Sequence, residues 1–188
     1  MEFFGEDRLT RRTALGLACG GALTLAGCAT PDPLDSALPD MGSFRLGYNI
    51  AVTKNAKKIP PSRDATGEEW ETALTDEIGR RFGGYDGAKE FHIALNLDGY
   101  SLAPPGIPIV LSPKSVLIVS ANVWSAELGR KLHEKPEQIT TFEGADTLLL
   151  GSGLIKDKAA QMQTLSRNMA AEVQTWMLTN PDWFDLPA

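Results

Sequence analysis

Few residues in this chain are of a type that could do chemistry, and they are scattered. The only histidines are His92 and His133, and the only cysteines are Cys19 and Cys28. None of them stands in an HExxH or CxxC spacing that would hold a zinc ion. No serine lies in a GxSxG turn that would expose a nucleophile. The sequence therefore predicts no catalytic residue, no metal ligand and no cofactor.

Two weaker candidates have simpler interpretations. His92 and Asp98 share one face of a predicted strand, but a rise of about 3.3 Å per residue puts them about 20 Å apart, too far for an acid–base pair. We interpret both as polar surface residues. Gly151-Ser152-Gly153 precedes a predicted helix, whose first amides could bind an anion. A turn is the simpler interpretation of this segment.

Cys28 is distinguished by the residues that precede it. An apolar run over residues 14–26 follows Arg11 and Arg12. It is shorter than the roughly 20 residues that span a bilayer and suits an export signal. Leu25-Ala26-Gly27-Cys28 resembles the lipobox of bacterial lipoproteins, and the arginine pair resembles in part a twin-arginine signal. The resemblance implies cleavage between Gly27 and Cys28 and lipidation of Cys28, with export by the general route as the alternative.

The segment after Cys28 has the composition of a tether. Residues 29–40 contain three prolines and three aspartates without sustained periodicity. A flexible chain of about 15 residues has an end-to-end distance on the order of 20 Å. We expect a signal peptide over residues 1–27, a lipidated cysteine and tether over 28–43, and a single periplasmic domain over 44–188. Because Ala29 rather than aspartate follows the cysteine, the lipoprotein resemblance points to the periplasmic face of the outer membrane.

Composition and charge bound the partners. Apolar residues make up 43% and charged residues 22% of the chain, which is typical of a globular protein. The formal net charge of −6 gives no basic surface for nucleic acid. The expected partners are the membrane, through the lipid anchor, and an envelope protein. A basic loop with Lys54, Lys57 and Lys58 is either solvated or in contact with anionic headgroups.

The first half of the domain predicts strands around one helix. Residues 44–52 alternate, which predicts a strand with one core face made by Phe44, Leu46, Tyr48, Ile50 and Val52. Thr66 and Glu69 form a capping box that starts a helix over about residues 67–82. Its apolar stripe is Trp70, Leu74, Ile78 and Phe82. Residues 91–98 and 116–124 are the next two predicted strands.

The second half is less regular. We expect a short edge strand at Ile109-Val110-Leu111, a hairpin continuing through residues 130–133, and a further strand at Thr147-Leu148-Leu149-Leu150. The segment around Pro136 is interpreted as a polar connection. A last helix over about Lys156 to Leu178 has an apolar stripe made by Met162, Leu165, Met169, Val173 and Trp176. Trp183 and Phe184 are expected to fold back as an apolar plug.

These elements define an α+β fold of two layers. Because the first helix connects two strands, those strands are parallel, and the later strands, joined by turns, are antiparallel. We expect a mixed, mostly antiparallel sheet of about four strands with both helices packed on one face. The other face would present five polar side chains, those of His92, Asn96, Asp98, Ser120 and Asn122.

The architecture resembles that of envelope-assembly lipoproteins of the lipopolysaccharide-assembly or curli-secretion type. The resemblance rests on the lipobox, the tether, the strand-turn-strand pattern of residues 119–132, and Gly151-Ser152-Gly153 before an alanine-rich helix. It implies a membrane-anchored, non-enzymatic binding or assembly module. A periplasmic hydrolase of envelope material and a small-ligand-binding lipoprotein remain alternatives. A pocket with two converging carboxylates would favour the former, and an apolar cavity between sheet and helices the latter.

Overall fold

The computed structural model describes residues 37–104, 115–143 and 157–186. The described elements are, in chain order, β1 (Phe44–Val52), β2 (Lys57–Lys58), α1 (Gly67–Phe82), β3 (Lys89–Ser101), β4 (Val116–Ser125), β5 (Arg130–Lys131), β6 (Glu137–Phe142), α2 (Lys158–Leu178) and a 3-10 helix (Pro181–Phe184). The predicted strands at residues 109–111 and 147–150 and the turn at 151–153 lie outside the described residues.

The strands form one mixed sheet. β1 and β2 pair with β3 in parallel, β3 pairs with β4 antiparallel, and β5 and β6 both pair antiparallel with β4. The parallel pair joined across α1 confirms the predicted crossover. The α+β class is confirmed, with six described strands rather than about four, because β2 and β6 were not predicted as strands.

Both helices cover one face of the sheet. α1 packs over β1, and α2 packs over β4 and β6. The core is made by the inward side chains of β3 and β4 and by the apolar stripes of the helices. Phe44 lies at one end of this core, with ring centroids 5.4 Å from Phe91 and 5.7 Å from both Phe82 and Phe184. The fold-back of the C-terminal segment is confirmed, since Phe184 is fully buried and Trp183 half-buried.

The helix ends follow from local capping. Thr66 Oγ1 accepts from the Glu69 amide at 3.1 Å, and the Glu69 carboxylate accepts from the Thr66 amide at 2.7 Å, as the capping box predicts. α2 begins two residues later than predicted because Asp157 caps it, accepting from the Ala160 amide at 2.7 Å. The predicted apolar stripe of α2 ends at Trp176, but Trp176 is only partly buried. The neighbouring residue, Met177, is fully buried instead.

The predicted core face of β1 is wrong beyond Leu46. Tyr48 is 74%, Ile50 53% and Val52 43% exposed. The pairing of β1 with β3 shifts between Leu46 and Asn49, which is a β-bulge. One extra residue in a strand reverses the faces that follow it, because side chains alternate with period two. Tyr48, Ile50 and Val52 therefore lie on the sheet face opposite the helices.

Candidate functional site

The open sheet face carries the polar side chains that the alternation of β3 and β4 predicts. His92, Asn96, Asp98, Ser120 and Asn122 are all half-buried, while their neighbours along each strand are fully buried against the helices. The sequence therefore places these five residues correctly on one face. We call this surface the open face.

Asp98 organises the polar half of the open face. Its Oδ1 accepts from Asn96 Nδ2 at 2.6 Å, and its Oδ2 accepts from Ser120 Oγ at 2.6 Å and from Gln138 Nε2 at 3.1 Å. These bonds connect β3, β4 and β6. The Asp98 carboxylate is thus engaged in a structural network, and His92 is not among these partners.

An aromatic row crosses the other half of the open face. The backbone N–H of Tyr48 donates to Nδ1 of His92 at 3.1 Å, and the two rings lie 5.1 Å apart. His92 is directly opposite Trp124 in the antiparallel pair of β3 and β4. Because Nδ1 accepts this bond, a neutral His92 carries its proton on Nε2. Tyr48 is 74% and Trp124 41% exposed, so the row is accessible at both ends.

Ile50 and Val52 extend this row into an apolar surface. We call Tyr48, Ile50, Val52, His92 and Trp124 the open-face patch. Tyrosine and tryptophan are enriched in protein interfaces, and a group of exposed apolar residues on one surface is a common sign of an interaction site. Sequence reasoning missed three of these residues because it assigned them to the core. The available signal was Gly47, since a glycine inside a strand often marks a bulge.

His133 has a structural role away from the open-face patch. Its Nε2 accepts from the Val123 amide at 3.1 Å, and its Nδ1 lies 2.6 Å from the Lys135 carbonyl oxygen. Its ring stacks on Trp183 at 5.6 Å and meets the edge of Trp176 at 5.1 Å. Both ring nitrogens are used, so His133 joins the β4–β5 hairpin to the C-terminal end of α2.

A groove of about 740 Å³ lies between most of the length of α1 and the first turns of α2. Its most buried acid is Glu77, 2% exposed, whose Oε1 accepts from Arg80 at 3.1 Å and from Gln163 at 3.4 Å. Glu69, at one end of the groove, bonds Lys158. This bond, followed by the Thr66 amide, lowers the pKa of the Glu69 carboxyl.

Glu69 and Glu77, the two groove acids that hold cationic partners, are too far apart to form a catalytic pair. Glu69 and Glu77 are eight residues apart on one helix, a rise of about 12 Å. Paired catalytic carboxylates of glycoside hydrolases lie about 5–9.5 Å apart. Both acids also hold cations of α2, because Glu69 bonds Lys158 and Glu77 Oε2 lies 3.7 Å from Arg167 Nε. The described lining of the groove comes from α1, α2 and their capping residues, so the groove is not a cavity between sheet and helices.

The basic loop of the sequence is partly drawn into the fold. Lys57 and Lys58 form β2 and extend the line of β1 along β3. Lys58 bonds Asp64, which raises the pKa of the Lys58 ammonium and lowers that of the Asp64 carboxyl. Lys54 and Lys57 are exposed.

The residues just before β1 are fixed to the helix side of the domain by hydrogen bonds and burial. The Tyr85 hydroxyl donates to the Pro39 carbonyl at 2.8 Å and accepts from Gln174 Nε2 at 2.6 Å. Gln174 Oε1 in turn accepts from Arg81 Nε at 2.7 Å. Burial raises the pKa of the Tyr85 phenol. Since Met41 is also buried, the chain is fixed to the domain a few residues before β1.

The residues of the export signal and Cys28 lie outside the part of the chain that the structure describes. Within the described residues, no helix is both long and apolar enough to cross a membrane. Nor do the described histidines and acids include a group of three that could hold a metal ion.

No family model and no curated relative matches this chain. Similar solved structures include a Xanthomonas campestris protein of the DUF330 family, 12% identical over 74% of this chain and 86% of that chain, with a TM-score of 0.43. The PelC dodecamer from Paraburkholderia phytofirmans is 10% identical over 72% and 91% of the two chains, with a TM-score of 0.36. A Caulobacter crescentus chain described as a lipoprotein is 14% identical over 71% and 94%, with a TM-score of 0.33. At such low identities and TM-scores, these similarities carry no inference about the function of this chain.

Proposed function

We propose that this chain is a lipoprotein of the cell envelope whose folded domain acts as a non-enzymatic binding or assembly module. Arg11 and Arg12 with the apolar run direct its export, Cys28 is lipidated, and the chain is then cleaved between Gly27 and Cys28. The anchor holds the domain at the periplasmic face of the outer membrane. The support for this part of the proposal is the sequence Leu25-Ala26-Gly27-Cys28 and the proline- and aspartate-rich segment after it.

The binding role is carried by one observation, the open-face patch. Aromatic and aliphatic side chains that are 41–74% exposed lie together on the sheet face that the helices leave uncovered. Surfaces with central aromatic residues and a polar rim are typical of protein–protein contacts. Here the polar half of the open face, around Asp98, supplies that rim. We infer that the partner is an envelope protein that docks on the open face.

The anchor is tested by replacing its cysteine. In cells expressing the full-length chain, the wild-type protein should remain in the membrane fraction after salt and carbonate washing, and Cys28→Ala should become soluble with an unchanged circular dichroism spectrum. Cys19→Ala is the matched control, because Cys19 lies in the removed segment, and it should behave as the wild type. Membrane retention, after these washes, of Cys28→Ala protein from which residues 1–27 have been removed would exclude the lipid anchor.

A mass measurement adds an independent test. The mature wild-type protein should begin at residue 28 and carry the additional mass of its acyl chains. A mature protein that begins elsewhere, or that carries no added mass, would contradict the proposed lipobox.

A further inference from the structure

The turn between β4 and β5 projects from one end of the sheet. Residues 126–129 form this turn and join the two antiparallel strands. Leu128 lies at its tip and is 54% exposed. Gly129 has a left-handed φ of 61°, and no described atom beyond its chain neighbours lies within 4 Å of the position that a β-carbon would take there. The tip is therefore free to meet another surface.

The N-terminal segment enters the domain at this same end. The Ala126 amide donates to the Glu90 carbonyl at 3.0 Å. The amide of the preceding residue, Lys89, donates to the Ser43 carbonyl at 2.8 Å. Ser43 comes soon after Pro39, whose carbonyl is bonded by the Tyr85 hydroxyl. The turn and the entry of the chain are therefore close together at one end of β3.

The length of chain before this entry limits where the membrane can be. Residues 29–39 connect the proposed lipid at Cys28 to the fixed position of Pro39. Whatever their conformation, they span at most about 40 Å, because an extended chain covers about 3.3–3.6 Å per residue. The opposite end of the sheet, where the Ile59 amide bonds the Tyr100 carbonyl, is about 30 Å farther along β3. The end with the β4–β5 turn is thus the one that the anchor holds nearest to the bilayer.

We propose that the tip of the β4–β5 turn contacts the phospholipid surface in which the chain is anchored, with Leu128 among the headgroups. The inference rests on the proposed lipid anchor. Arg130 and Lys131 follow directly, and among the described residues neither forms an ion pair. Both cations can therefore bind headgroup phosphates. An apolar side chain beside basic ones is typical of segments that lie in a membrane interface.

This contact orients the whole domain. The strands run away from the bilayer, because the turn lies at the end of β4. The open face then looks along the membrane, where a neighbouring envelope protein can reach it. The same orientation places the basic loop with Lys54 and Lys57 at the far end of the sheet, away from the headgroups.

Fluorescence quenching on vesicles tests the orientation. The lipidated mature chain is bound to vesicles of phosphatidylethanolamine and phosphatidylglycerol, some of whose lipids carry a nitroxide quencher at the headgroup. Leu128→Cys, expressed from the full-length sequence, takes a fluorescent label at the tip, because Cys19 is removed with the signal and Cys28 is blocked by its lipid. Ile59→Cys is the matched control, since Ile59 is 38% exposed and also lies beside two basic residues, but at the opposite end of the sheet.

The label at position 128 should lose most of its fluorescence, and the label at position 59 should lose little. Equal quenching at both positions, or stronger quenching at position 59, overturns the inference while the anchor stands. A mature chain that carries no lipid and does not bind the vesicles overturns the anchor and, with it, this inference.

Charge reversal tests the headgroup contacts. Arg130→Glu combined with Lys131→Glu should reduce the quenching at position 128 by roughly twofold or more, because basic residues are attracted to the negative surface of such vesicles. Lys54→Glu combined with Lys57→Glu is the control, since both lysines are exposed at the other end of the sheet, and it should leave the quenching unchanged. Equal effects of the two pairs, or no effect of the first pair, overturn the proposal.

Discussion

At Gly47, a β-carbon would lie 2.5 Å from Nδ1 and 2.7 Å from Cε1 of His92. The missing side chain lets the imidazole lie against the backbone, where it accepts the Tyr48 amide. This contact accompanies the bulge that moves Tyr48, Ile50 and Val52 to the open face. Sequence alternation alone could not show the reversal, because the partner of the bulge is 44 residues away.

Gly47→Ala should therefore destabilise the domain by about 1–3 kcal/mol, the usual cost of overpacking a tight site, measured by urea unfolding. The matched control is Gly79→Ala in α1, where the nearest atom to an added β-carbon is Asn49 Nδ2 at 3.4 Å. That variant should gain about 0.5–1 kcal/mol, because alanine favours a helix interior over glycine. In a His92→Ala background the cost at Gly47 should shrink. Equal stability of Gly47→Ala and the wild type would contradict the proposed role of this glycine.

For His92, Asp98 and His133, the sequence can predict the position on a strand or hairpin but not the bonding partners. The open-face positions of His92 and Asp98 follow from the alternation of β3. Their partners do not, because Ser120 and Gln138 come from strands whose register is set by tertiary pairing. The same holds for His133, whose two aromatic neighbours come from the C-terminal segment.

Among the elements, α1 was predicted to its ends because its signals are local. The capping box fixes its start at Thr66, and the stripe with a four-residue period fixes its buried face. β6 gave no such signal. It is six residues long, only Thr141 is fully buried, and it exists because it pairs with β4. β2 is two residues long and depends in the same way on β3.

Glu69 serves two elements, since its carboxylate closes the α1 capping box and bonds Lys158 at the start of α2. Its pKa in the folded state lies below its ordinary value of 4.5, so its stabilising contribution is present above that pH and is lost as the pH falls through the folded-state pKa. Glu69→Gln should reduce stability at neutral pH by a fraction of a kcal/mol, as for partly exposed ion pairs, and should flatten the fall in stability below about pH 4.5.

The measurement is thermal unfolding from pH 3 to pH 7, with Glu68→Gln as the control. Glu68 lies on the same turn of α1 and is exposed, so this variant makes the same change in net charge. A Glu69→Gln profile that runs parallel to the wild type at all pH values would show that this carboxyl does not contribute to the acid dependence.

At the scale of the whole molecule, the two faces of the sheet differ in what covers them. The helix face supplies the core and, through Tyr85, Gln174 and Arg81, holds the chain segment that leads back toward Cys28. The open face has no helix over it in the described structure and displays the open-face patch beside the Asp98 network. The two-layer class was predictable from the order and amphipathic pattern of the elements. The composition of the open face was not, because it depends on a single bulge.

The most direct test of the proposed function is site-specific photo-crosslinking in intact cells. A photoreactive amino acid replaces Trp124 in the open-face patch. In the control it replaces Glu172 on the exposed side of α2. Both variants are expressed from the full-length sequence. The proposal predicts an irradiation-dependent cross-link between position 124 and a second envelope protein, and none from position 172. Cross-linking of the same protein from both positions, or no cross-link from position 124, would contradict an open face that acts as the binding surface.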